Sequence, residues 1–127
     1  MKRRTFQILL ALCLLIGISG CAKQADPNRS IEKIKKDVET MSVKDLEANA
    51  LVYADALKAQ KAELDKIKAK MSVMPVEKIF ANDFMTNKVS KIGRKAEALF
   101  DRYMIYLEKI QEKGADLSKV RLDSPSQ

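Results

Sequence analysis

Two runs of the chain place apolar side chains at alternating steps of three and four residues, and one proline-containing stretch separates them. The first run reads Val43, Leu46, Ala50, Tyr53, Leu57, Gln60, Leu64, Ile67, Met71 and Met74, with Gln60 its only polar member. The second reads Met85, Val89, Ile92, Ala96, Leu99, Tyr103, Tyr106 and Ile110. Such steps keep one face of an α-helix apolar along its whole length, whereas a half-buried strand needs a period of two. Each run therefore predicts one long helix with a heptad seam. Two seams of similar length joined by one turn bury themselves most directly against each other, as an antiparallel hairpin.

The helix ends are marked by residues that satisfy free backbone groups. Ser30 is a good N-cap, and Ile31, Ile34, Val38 and Met41 follow it on one face of a short helix, with Glu32 and Lys36 paired on the other. Ser42-Val43-Lys44-Asp45 is a variant capping box and starts the first long helix, which runs to Met71 or Met74. Residues 72–83 hold Pro75 and Asn82-Asp83 and read as the turn, with a short helical stretch at Val76–Ala81. The second long helix runs from about Phe84 to Lys113, with Gly114 just past its end.

A surplus of apolar residues places the short helix. Tyr103-Met104-Ile105-Tyr106-Leu107 is apolar all round, and Leu51 and Val52 lie off the first seam. In an antiparallel hairpin both surpluses fall at the same level, where the short helix can cover them. The expected fold is all-α: a small antiparallel helical bundle of two long helices and one short N-terminal helix over residues 30–114. It should be well packed at its base and thinner towards Pro75. Residues 115–127 read as a flexible tail.

Composition agrees and narrows the chemistry. Only 4 Gly and 3 Pro occur in 127 residues, so turns are few, and 46% hydrophobic with 32% charged residues suits a folded domain rather than a disordered one. There is no His, which removes the usual neutral-pH base and the commonest zinc or copper ligand. The serines sit at caps, turns and the tail, and no glycine-rich phosphate loop is present. These features argue against an enzyme, a metal site or any non-covalent cofactor.

The first twenty residues have a different character. Lys2-Arg3-Arg4 precedes an apolar stretch from Ile8 to Ile18. That stretch is too short to span a bilayer, which needs about 20 residues, and matches a secretory signal. Ile18-Ser19-Gly20-Cys21 then resembles the lipobox of bacterial lipoproteins: an aliphatic residue, two small residues and the cysteine. The resemblance covers the leader alone. It implies lipid transfer to the Cys21 thiol, cleavage before Cys21, and acylation of the new N-terminus by a chain such as palmitate. With Ala22 rather than Asp next, it also implies outer-membrane placement facing the periplasm in a diderm. Residues 1–20 are thus expected to be a signal peptide and residues 21–29 a lipidated tether. Loss of the leader leaves 21 basic against 17 acidic side chains, a net +4, too mild to call for nucleic acid.

One pattern suggests a contact surface. Lys88, Lys95, Arg102 and Lys109 recur every seven residues beside the second seam and would form a basic stripe, which could also be no more than long stems covering the seam edge. Met74 and Met85, near the turn, would add an adaptable contact. The expected function is a lipid-anchored cell-envelope adaptor: bound to membrane through the Cys21 lipid, and presenting its helices to another envelope protein. The alternatives are a pilotin-like targeting lipoprotein and a self-associating coiled-coil oligomer in which Gln60 sets register.

Overall fold

The computed structural model describes residues 23–123. Residues 1–22, on which the expected signal peptide and Cys21 fall, and residues 124–127 lie outside the described residues. Four helices follow in order: α1 (Ile31–Val38), α2 (Val43–Ser72), α3 (Val76–Phe80) and α4 (Asp83–Glu112). Helices α2 and α4 have 30 residues each, which at ~1.5 Å per residue makes arms of about 45 Å. They pack along each other as the antiparallel hairpin, so the protein is an all-α bundle.

The caps form where the spacing placed them. The Ser30 hydroxyl oxygen accepts from Lys33 N at 3.3 Å, and that of Ser42 from Asp45 N at 3.2 Å. Ser42 also donates to the Asp45 carboxylate at 2.7 Å. Asn82, which the sequence showed only as part of the turn, caps α4 by accepting from Met85 N at 3.1 Å. At the far end Gly114 has a φ of 70°, and the amides of Gly114 and Ala115 donate to the carbonyls of Gln111 and Ile110 at 2.9 and 3.2 Å. This pair of crossed bonds is a Schellman turn, and its left-handed residue is easiest as glycine.

Every seam position of α2 is buried or half-buried, Gln60 included, and on α4 only Val89 reaches 36% exposure. The seams therefore close on each other within one chain. The core proper lies at the base: Ile34, Val38, Leu46, Ala50, Tyr53, Leu99, Tyr103, Tyr106 and Ile110 are its main members. Helix α1 covers this level as expected, packing chiefly on α4. Leu51 does not join it and stays 39% exposed, because α1 lies against α4 and leaves that side of α2 open.

Both flanking segments are more ordered than their composition suggested. The expected tether is a strap over the described residues 23–29: Tyr53 Oη donates to the Asp26 carbonyl at 3.3 Å, and Arg29 donates to Tyr106 Oη at 3.4 Å and to Asp37 at 2.7 Å. The expected flexible tail is a packed return over residues 115–123. Val120 is fully buried, Ala115 and Leu117 lie against the core, and Tyr103 Oη donates to the Val120 carbonyl at 2.6 Å. The Gly114 turn aims this segment back at the bundle, and burial of Val120 together with the Tyr103 hydrogen bond holds it there.

Towards the turn the packing thins. Above the middle of the arms the buried side chains are Ile67 and Ile92, while Met71, Met74 and Met85 are half-buried.

Candidate functional site

The structure divides the expected basic stripe in two. Lys88 and Lys95 are exposed on the upper part of α4. Arg102 is only 9% exposed: its Nε donates to the Arg29 carbonyl at 2.8 Å and its Nη1 to the Ala98 carbonyl at 2.6 Å. Lys109 pairs with Glu39 at 2.7 Å and Glu112 at 2.8 Å. These hydrogen bonds, Glu112 before Glu39, hold the Lys109 ammonium above its ordinary pKa. The division has a simple cause. Helix α1 and the strap lie on the lower half of α4, so Arg102 and Lys109 became part of that junction. Arg102 is thereby removed from any contact surface, and Lys109 is committed to its two carboxylates.

The base is internally satisfied. The Tyr53 and Tyr106 rings lie 5.7 Å apart at 30°. Burial raises the pKa of Tyr106 against the opposing charge of Arg29, and burial likewise raises that of Tyr103. For Arg29 burial works against the charge, but Tyr106 and the Asp37 hydrogen bond outweigh it and raise its pKa. A pocket of about 240 Å³ is lined by Arg29, Met41, Asn49, Val52 and Tyr53 among others. Three of its polar groups already have partners: the Asn49 amide donates to the Asp45 carbonyl at 2.7 Å, and Arg29 and Tyr53 make the bonds given above.

The turn end is the opposite case. Val73 is 83% exposed, Phe80 82%, Phe84 75% and Val76 61%. Four large apolar side chains thus stand in solvent within the stretch 73–84. The geometry of the turn explains them. Helix α3 has five residues and none buried, and it crosses the end of the hairpin where no third helix reaches. Met74 and Met85, the expected contacts, fill the space beneath and are half-buried. Phe80 and Phe84 escaped the sequence reading because they belong to neither seam. Their signal was that they are bulky apolar residues off the seam, at a level where no covering helix was expected.

Just below the turn, an open cleft of about 440 Å³ lies between the arms, lined by Glu63, Lys66, Ile67, Lys70, Val73 and Lys88 among others. Lys66 bonds Glu63 at 3.0 Å and holds its carboxyl below the usual range, with Lys88 adding to the effect from the other arm. Among the described residues no three His, Cys, Asp or Glu side chains come together as a metal site would need. No helix among them is long and apolar enough to cross a membrane.

Comparison with protein-family models, with curated proteins and with solved structures gave no match. The functional reading therefore rests on the geometry above.

Proposed function

We propose that the chain is a non-enzymatic binding module of the bacterial cell envelope, held by lipid on Cys21, whose hairpin end engages another envelope component. The observation that carries this reading is the exposed group Val73, Val76, Phe80 and Phe84. A small domain that buries its seams so fully has no folding reason to leave two phenylalanines in water, and such patches mark interaction sites. The arrangement also fits an anchored protein. The strap holds Asp26 against Tyr53, so Cys21 lies at most ~18 Å of extended chain from a fixed point at the base. From Tyr53 the arm runs on for about 28 Å to Ser72, at ~1.5 Å per residue, before the exposed group begins. Since the seams close within the chain, self-association through them is the weaker alternative.

A photo-crosslinking residue at Phe80, compared with one at Asp55 on the base, tests the proposal in cells. A dominant adduct from position 80 and none from position 55 is the expected result. Equal labelling from both positions would remove the turn end as the binding site. Replacement of Cys21 by Ser should release the protein from the membrane fraction, and retention there would remove the lipid anchor.

A further inference from the structure

We infer that the turn end of the hairpin is a second membrane contact, which inserts Phe80 and Phe84 into the surface of an anionic phospholipid bilayer. This rests on the reading of the turn end as the binding end and names its partner.

The first observation is the exposed apolar group itself, which lies on the outside of a chain reversal. Val76 and Phe80 belong to α3, across the end of the hairpin, and Val73 and Phe84 flank it. Val76, Phe80 and Phe84 project from that end, while Val73 lines the cleft below it. A protein partner would need a shaped cavity to receive them, whereas a bilayer interface accepts projecting apolar side chains without complementary shape.

The second observation is charge, and it is independent of the first. Residues 66–95 carry eight basic and two acidic side chains, a net +6. The remaining described residues, 23–65 and 96–123, carry thirteen basic and fifteen acidic side chains, a net −2. The whole positive excess of the domain therefore sits on the stretch that bears Phe80 and Phe84. All eight basic side chains of that stretch are exposed, including Lys70, Lys78, Lys88 and Lys91. Glu77 and Asp83 are the only acidic groups between residues 66 and 95, and Glu63 in the cleft just below is bonded to Lys66. The base has the opposite habit, with Arg29, Arg102 and Lys109 drawn into partners. Exposed lysines around projecting aromatic side chains are the composition of a surface that binds anionic headgroups and inserts at the acyl boundary.

The chain has no Trp, so F84W introduces a single reporter at the contact. It is made in the full chain and added to vesicles of phosphatidylcholine, with or without phosphatidylglycerol. The expected result is a blue shift of emission, and quenching by brominated phosphatidylcholine, with the anionic vesicles only. The shift should disappear at high salt and in the background of K88E and K91E, which alter exposed side chains and leave the core intact. L51W, on the base, should not shift, even where the leader holds the chain to the vesicle.

Unchanged F84W emission on anionic vesicles that carry the protein would overturn the inference. So would an equal shift on neutral vesicles, or a shift that depends on protein concentration without lipid, which would make a second copy the occupant. A dominant protein adduct from Phe80 together with a silent F84W would keep the binding module and discard the bilayer as its partner. Loss of both would discard both.

Discussion

Arg102 brings a charged group into the side of the bundle, and two carbonyl oxygens meet it there. Among the described residues no buried side-chain nitrogen or oxygen lacks a partner. Its length is what the heptad position could not reveal: the stem packs on the seam edge while the head fastens the strap to α4. R102M should therefore destabilise the domain by about 1–3 kcal/mol, the range for loss of a buried charged hydrogen-bond set. K95E, on an exposed position of the same stripe, should stay within about 0.5 kcal/mol. Urea unfolding of the two variants separates the roles, and equal effects would show that Arg102 is no more than a surface cation. The tyrosines make a second prediction. Burial raises the pKa of Tyr103 and Tyr106 above that of an ordinary tyrosine. A raised folded value means that the folded state holds the proton more tightly, so the stability linked to it is complete below about pH 10 and is lost as pH rises through the folded values. The urea midpoint should fall as pH rises from about 10 through the folded values, in step with tyrosinate absorbance. A midpoint that is flat across that window would show that neither hydroxyl is linked to folding.

At the scale of elements, the helices were legible because their signals are local. Ser30 and Ser42 cap their own helices within three residues, and the seams repeat along one strand of sequence. The flanking segments were not legible, since what orders them is far away in the chain. Val120 is held by Tyr103, seventeen residues back, and Asp26 by Tyr53, twenty-seven residues on. V120A should cost about 2 kcal/mol, as the loss of two methyl groups from a site without solvent, whereas a frayed tail would register no change. Gly114 sets the direction of that return through its φ of 70°. G114A should add about 1–2 kcal/mol of backbone strain and lower the thermal midpoint together with the protection of the Val120 amide. A lowered midpoint with the Val120 amide still protected would show that the tail docks without help from the turn.

At the scale of the molecule, packing and charge run in opposite directions along the hairpin. The base holds α1, the strap, the returning tail and nearly all the buried residues, while the turn end holds Phe80, Phe84 and the positive excess. Local stability should follow that gradient, because opening costs least where few apolar contacts are broken. Native-state amide exchange should find residues 46–57 and 99–110 opening only with global unfolding, and residues 67–89 opening at lower free energy. Uniform protection from base to turn would contradict the gradient. F80S with F84S should leave the unfolding midpoint almost unchanged, since neither ring is in the core.

The sequence by itself determined the helices, their caps, the antiparallel pairing and the thinning towards Pro75, because each follows from periodicity or from bonds within one turn of helix. It also contained the uneven charge of residues 66–95, which no stripe drawn on one helix displays. Only the tertiary structure decided which cations are free and which apolar side chains are exposed. Lys95 and Arg102 occupy equivalent heptad positions, yet one stands in water and the other is enclosed, because α1 and the strap reach one level of α4 and not the next. Phe80 and Phe84 are no less hydrophobic than the tyrosines of the core. They differ in that, among the described residues, no element covers the end of the hairpin.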